Sequence, residues 1–405
     1  MVANNDMLDP PPGPPKTALV LAGGGARAAY QIGVLRAVAH MLPKDAISPF
    51  QIICGTSAGA FNAAGLAMDP RRFRKSVCRL EYIWKNLHCH NIYRTDFVSI
   101  TRNIWHWVAS LLLGGLGRYN PRSLLDNAPL RELLERVFDP EKLEAAIDSG
   151  LLEAICISAS GYTSGQNIAF FQGSEHLQGW NRVQRIGVPA QISIEHLLAS
   201  SAIPLVFPAV HLHREYFGDG TIRQTAPVSP ALHLGAEKIL VIGMSRSPEV
   251  APARAKTAEY PPLAQVLGHV LNSAFLDGLE VDLERLLRIN KTVRLIPDAT
   301  RRQAGLALHP VDVCVIYPSQ ELDVIASRHS RAFPSMIRFL LGGLGGMRRR
   351  SSVLASYLLF EQPYCRELIR LGYNDTMARR DELLAFFGQG DPASQPAPAT
   401  VVLAP

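Results

Sequence analysis

Two stretches near the start of the chain share one pattern: a short apolar run, a glycine-rich turn, then apolar residues at helical spacing. "TALVLA" (17–22) is followed by "GGGA" (23–26) and then by a segment where Ile32, Leu35, Val38 and Leu42 recur every three or four positions. The order returns as "QIIC" (51–54), "GTSAG" (55–59) and "AFNAAGLA" (60–67). Two successive strand–turn–helix units predict an α/β fold with a mostly parallel central sheet and helices on both faces.

Farther along, "EAICISAS" (153–160) and "NIAFFQ" (167–172) read as strands joined by a turn through Gly161 and Gly165. "EKILVIGMS" (237–245), "KTVRLIP" (291–297) and "DVCVIYPS" (312–319) are further strand candidates. Residues 71–150 have helical spacing, with a cap at Asn120-Pro121-Arg122-Ser123, and predict a helical insertion beside the sheet. "SIEHLLASSAIPLVFPAV" (193–210) predicts a helix ending near Pro204; a long helix is expected over 262–289 and a helical region over 321–387. The segment "WVASLLLGGLG" (107–117) is too short to span a bilayer and reads as a core helix or as one that dips into a lipid interface.

Composition narrows this picture modestly. Apolar residues make up 47% of the 405, enough for a large core. The net charge of +6 is mild, and no nucleic-acid partner is expected from it; the basic runs "RRFRK" (71–75) and "MRRR" (347–350) would suit a solvated face or an anionic lipid surface. Six scattered cysteines without a CxxC pair fit reduced thiols in a cytoplasmic protein. The first 16 residues carry five prolines and acidic groups where a signal peptide needs a basic start and an apolar run, so they predict a disordered head; 388–405 predicts a disordered tail.

Candidate chemistry sits in the glycine turns. "GTSAG" is a G-x-S-x-G turn between strand and helix, in which Gly55 and Gly59 allow the tight bend and Ser57 projects from it as a nucleophile. The NH of Ala58, at the start of the helix, would favour developing negative charge. The loop Gly23, Gly24, Gly25, Ala26 and Arg27 admits two readings. It fits the dinucleotide pattern G-x-G-x-x-G/A, with Asp45 as the ribose acid. It also fits an oxyanion hole, since successive glycines leave NH groups uncovered.

An alcohol needs a base. The histidines late enough for a Ser–acid–His order, His269 and His329, lie within helical patterns; His211 and His213 share a strand face, and His88 and His90 flank Cys89 without a second cluster at metal-site spacing. Asp219 stands between Gly218 and Gly220 at the end of an apolar run, which alone is a turn signal.

Taken together, "GGGARA", "GTSAG" and "DGT" (219–221), with "ASSAIPLVFPAV" (199–210) ahead of the aspartate, resemble the patatin-like phospholipase family. The resemblance covers roughly residues 18–232; "GHVLNSAFLDGLEVDLERLLRIN" (268–290) and "SYLLFEQPYCRELIRLGYNDT" (356–376) resemble the carboxy-terminal helical extension of a bacterial subgroup. It implies a three-layer α/β/α catalytic domain over 17–232, with 71–150 as insertion or cap. The remaining strands and the helical extension, 233–387, would pack on that domain. It implies a serine acyl hydrolase of lipid esters, of phospholipase A, lysophospholipase or lipase type. Ser57 would be nucleophile, Asp219 base and the glycine loop oxyanion hole, with no histidine, metal or cofactor. Arg27 would hold the loop or a phosphate, and the enzyme would work at a membrane surface. The alternatives are an esterase with a histidine-containing triad and a non-catalytic lipid-binding or regulatory protein on the same fold. Two positions depart from the family pattern. Ala28 stands where many members have glycine, as in the related cytosolic phospholipases. Thr221 stands where the family has glycine or alanine; its β-branched bulk leaves the carboxylate intact but could shift its approach to Ser57.

Overall fold

The computed structural model describes residues 15–113, 122–246, 260, 262–306, 308–343 and 352–389. The proline-rich head through residue 14, the cap at Asn120-Pro121, the glycine end of 107–117, the run 347–350 and the tail from 390 lie outside the described residues.

Ten strands form one sheet: β1 (Thr17–Leu21), β2 (Ile52–Thr56), β3 (Ala154–Gly161), β4 (Asn167–Gly173), β5 (Trp180–Arg182), β6 (Arg185–Pro189), β7 (Val210–Leu212), β8 (Glu215–Asp219), β9 (Lys238–Ile242) and β10 (Asp312–Ile316). Their spatial order is β10-β9-β1-β2-β3-β4-β6-β5, and β10 through β3 run parallel. The hairpin expected after β3 reverses direction into β4. A second hairpin, β7–β8, lays Phe217, Gly218 and Asp219 antiparallel to the end of β3.

Period-two alternation divides the core between the two faces. Leu19, Leu21, Ile53, Ile155, Ile157 and Leu240 face one helical layer, while Ala18, Val20, Ile52, Cys54, Ala154 and Val241 face another. The first layer includes α1 (Ala29–Met41), α2 (Ala58–Ala67) and α3 (Phe73–Lys85). The expected helical insertion holds α3, α4 (Phe97–Leu112), α5 (Ala128–Val137) and α6 (Pro140–Asp148), and α7 (Ile194–Ser200) follows β6. The carboxy-terminal helix Gln362–Met377 crosses α1 so closely that a Cβ on Gly33 would lie 2.1 Å from the Ile369 oxygen.

Three expectations are corrected. "KTVRLIP" is no strand: the helix Gly278–Arg294 runs through its first four residues, because Leu283, Leu286, Asn290 and Val293 continue one buried helical face. The Asn290 amide bonds both the NH and the oxygen of Val311, at 3.0 and 2.7 Å, which fixes the helix beside the start of β10. The helix at 193–210 ends at Ser200, four residues before Pro204, where Ser201, Ala202 and Ile203 turn the chain. Finally, α4 is only half in the core. Ile100 is buried, whereas Trp105, Leu112 and Leu113 are exposed by 66, 81 and 69%.

Candidate active site

Ser57 occupies the bend between β2 and α2 with φ 55° and ψ −130°. A non-glycine residue there costs on the order of 1–3 kcal/mol and persists only where packing enforces it. The packing is visible: a Cβ on Gly55 would meet the Gly59 oxygen at 2.6 Å, and one on Gly59 would meet the Leu21 oxygen at 2.3 Å. Strand β1, strand β2 and α2 are thus drawn together as tightly as backbone allows. The Ser57 NH donates to the Ser200 hydroxyl (2.8 Å), which donates in turn to the Ser158 oxygen (2.6 Å). This strap from α7 to β3 holds the bend from the far side.

Sheet register brings the aspartate to the serine. Thr56 pairs with Ser158, and Asp219 pairs with Ala159, the next residue along the same edge of β3, whose other edge is taken by β4. Residues separated by 162 positions therefore meet, and the Ser57 hydroxyl donates to Asp219 Oδ2 at 2.6 Å. The second oxygen, Oδ1, accepts from the Thr221 NH (3.0 Å) and the Thr221 hydroxyl (2.6 Å). Thr221 leaves the carboxylate within hydrogen-bond reach of Ser57, and its hydroxyl anchors it. Its methyl lies 2.5 Å from where a Cβ on Gly23 would sit, so glycine at position 23 makes room for threonine at 221. The turn behind Asp219 is fixed by Ser160 and Asn167, which both donate to the Gly220 oxygen. Gly218 lies under the Tyr162 hydroxyl.

Asp219 is fully buried, and that burial pushes its pKa up from 3.8 to about 6, against the opposing pull of the bonds from Ser57 and Thr221. The result is a carboxyl that is still ionised at neutral pH yet far more basic than an exposed one.

The first glycine loop lies across the bend. Gly23 approaches Ser57, and Gly25 lines a recess together with Ser57 and Ala58. Among the described residues, the NH groups of Gly24, Gly25, Ala26 and Ala58 donate to no protein acceptor. The recess, mouth included, is about 520 Å³, and its walls are Phe61, Trp84, Ile92, Leu130, Ile203, Phe207 and Phe360. Such a lining suits an alkyl chain. Arg27 turns away from the recess and donates through Nε to the Ser356 hydroxyl (2.8 Å).

The other candidates are elsewhere. Asp45 is exposed in the turn between α1 and β2, before the N-terminal end of a central strand and so at the opposite end of the parallel strands from the glycine loop, where it cannot serve a nucleotide held there. His269 is exposed on the helix Leu263–Asn272, and His329 bonds Glu367. His211 is exposed and His213 sits in the β7–β8 turn. His88 stacks on His90 and bonds Glu361 and Gln362. Ser200, Ser158 and the Thr221 hydroxyl escaped sequence reasoning; the "ASSA" run was the only signal for the first.

Residues 19–232 match the patatin-like phospholipase family, and the chain belongs to it. The cGAMP-activated phospholipase of Pseudomonas aeruginosa is 26% identical over 215 residues, a match covering 53% of this chain and 55% of that protein. The lysophospholipase nte1 of Aspergillus terreus is 41% identical over 73 residues, 16% of this chain and 4% of that one. The chain thus spans about half of the first relative and a small part of the second. Among solved structures, human GIVD cytosolic phospholipase A2 aligns with a TM-score of 0.44 at 11% identity, covering 92% of this chain and 59% of that one. VipD of Legionella pneumophila aligns at 0.36 and 13%, covering 91% and 67%. Among the described residues, no helix is long and apolar enough to cross a membrane.

Proposed function

We propose that the protein hydrolyses lipid acyl esters through a Ser57–Asp219 dyad. The observation that carries this reading is the 2.6 Å bond from the Ser57 hydroxyl to a buried carboxylate, at the mouth of an apolar recess. Asp219 takes the hydroxyl proton as Ser57 Oγ attacks the ester carbonyl. The uncovered NH groups of the Gly23–Arg27 loop and Ala58 receive the carbonyl oxygen as it becomes an oxyanion; one such donor is typically worth about 3 kcal/mol of barrier. Collapse of the tetrahedral intermediate breaks the ester bond, and protonated Asp219 gives its proton to the leaving alcohol. Water then attacks the acyl-serine, again losing a proton to Asp219, and release of the fatty acid returns that proton to Ser57.

The acyl chain fills the recess whose wall includes the packed rings of Trp84 and Phe360. A lipid surface delivers it. The exposed Trp105 and Leu112 of α4, Leu113 just after it and the exposed Leu205 lie on linked segments: Asn103 of α4 donates to the Leu124 oxygen, and the Leu124 NH donates to the Leu205 oxygen. Leu205 is flanked by Ile203 and Phe207, which line the recess, so the apolar surface continues to its mouth.

The test is hydrolysis of a short p-nitrophenyl ester and of a phospholipid by purified variants. Ser57→Ala and Asp219→Asn should each abolish both activities, while alanine at His269 or His329 leaves them intact. Strong loss at either histidine, with Asp219→Asn still active, would replace the dyad by a triad.

A further inference from the structure

Beyond the family's matched region, the short helix Val353–Leu358 returns to touch the glycine loop at three points. Gly25, at φ +55°, passes so near that a Cβ would stand 2.2 Å from the Tyr357 oxygen. Arg27 donates to Ser356 and lays its guanidinium 4.2 Å from the centre of the Tyr357 ring. That arginine is 3% exposed, and among the described residues it has no carboxylate partner. A buried guanidinium without an acid must be held by neutral acceptors and a ring face, so its place depends on both.

Tyr357 is itself braced. Its hydroxyl donates to Asn272 (3.0 Å), and its ring packs 5.1 Å from that of Phe275. Phe275 is carried on the π-turn Ser273–Asp277, an irregularity that interrupts one long helix at this contact. On the other flank, the Leu358 oxygen accepts from Tyr93, and Phe360 forms a wall of the apolar recess.

We propose that the segment Val353–Phe360 is a working part of the active site: Ser356 and Tyr357 are positioning residues that set the glycine loop against Ser57, and Phe360 selects the acyl chain. The proposal rests on the Ser57 reading above. It gives the carboxy-terminal extension a role in rate, because NH donors stabilise an oxyanion only when aimed where the charge develops, and a displacement of about 1 Å can cost roughly 100-fold.

The experiment measures kcat and KM on p-nitrophenyl butyrate for Ser356→Ala, Arg27→Met and the double variant, with Ser356→Thr as the conservative control and Ser57→Ala alongside. Ser356→Ala should lower kcat by about 10- to 100-fold with KM within about twofold, the signature of support made in the transition state. The double variant should be no worse than Arg27→Met, and threonine should recover most of the rate. Full kcat in Ser356→Ala overturns the proposal. So does a rise in KM matching the fall in kcat, or a double variant whose losses multiply. Activity surviving in Ser57→Ala would instead overturn the Ser57 reading; an inactive Ser57→Ala beside a fully active Ser356→Ala would sink this inference alone. Phe360→Ala supplies an independent readout: its ratio of long- to short-chain ester hydrolysis should change several-fold, and an unchanged ratio refutes the selecting role.

Discussion

Replacing Asp219 by asparagine should abolish hydrolysis while making the protein relatively more stable as pH rises. In the folded protein, burial raises this carboxyl from 3.8 to about 6. Its proton is therefore held more tightly folded than unfolded, so its stabilising contribution is complete below 3.8 and is lost as pH climbs through 6. At about 1.4 kcal/mol per pH unit, the loss approaches about 3 kcal/mol. Asparagine does not ionise, is nearly isosteric, and offers its oxygen to the two Thr221 donors while its NH2 faces the Ser57 hydroxyl. Urea unfolding of both proteins at pH 4.5 and pH 7.5 gives the stability difference at each. Whatever its starting value, that difference should move in favour of the variant by about 2 kcal/mol between the two. A flat difference, or one that moves toward the wild type, would mean that folding does not raise this carboxyl, and the case for Asp219 as a base would lose its physical ground.

Other consequences follow from the same geometry. The proposed dyad needs ionised Asp219, so kcat/KM should rise with pH through an acid limb near 6, the raised value of its carboxyl, which a pH–rate profile reads directly. Thr221→Ala removes a hydroxyl donor that favours the carboxylate and should move that limb to higher pH, whereas Thr221→Ser should leave it in place. Gly33→Val would drive a side chain into the Ile369 backbone, and a loss of about 3 kcal/mol or more is expected in urea unfolding, since helix–helix contact cannot relax around it. Trp105→Ala with Leu112→Ala should weaken co-flotation with anionic liposomes by roughly 10-fold and leave hydrolysis of a soluble ester unchanged.

What the sequence disclosed was whatever local chemistry encodes. The bends at 23–26 and 55–59 require glycine, and the runs around them alternate or repeat with the period of their element, so β1, β2, α1 and α2 could be read from about 50 residues. The meeting of Ser57 with Asp219 could not, because it depends on β2 and β8 docking in register one after the other along the same edge of β3, a pairing that no local pattern specifies. Asp219 was reached instead through resemblance. The Ser356 contact was invisible for a related reason: a serine in a helix carries no mark of an arginine 329 positions away. "KTVRLIP" misled because β-branched Thr292 and Val293 look like strand residues, while the helix that claims them is decided by burial along its whole length. Strands β5 and β6 were missed because they are short and mostly half-exposed or exposed, with Trp180 the one buried anchor of β5.

The main physical difficulty of a serine–aspartate pair is that an ordinary carboxylate is too weak a base for an alcohol. Two opposed influences set its strength here. Burial alone would raise the acid further and leave less of it ionised at neutral pH; the bonds from Ser57 and Thr221 alone would stabilise the anion and weaken it as a base. Their balance falls near 6, just below neutrality, where the group is mostly ionised and as basic as an ionised carboxylate can be at that pH. Thr221 is therefore more than a tolerated departure. Beside a carboxylate this buried, glycine or alanine at 221 would leave Oδ1 with one donor fewer and raise its pKa further. The remaining gap between carboxylate and alcohol has to be closed from the oxyanion side, by NH groups that cost nothing to aim because backbone already holds them. On that account the two halves of the site are interdependent. The better the loop fixed by Arg27, Ser356 and Tyr357 stabilises the oxygen that gains charge, the less basic Asp219 needs to be.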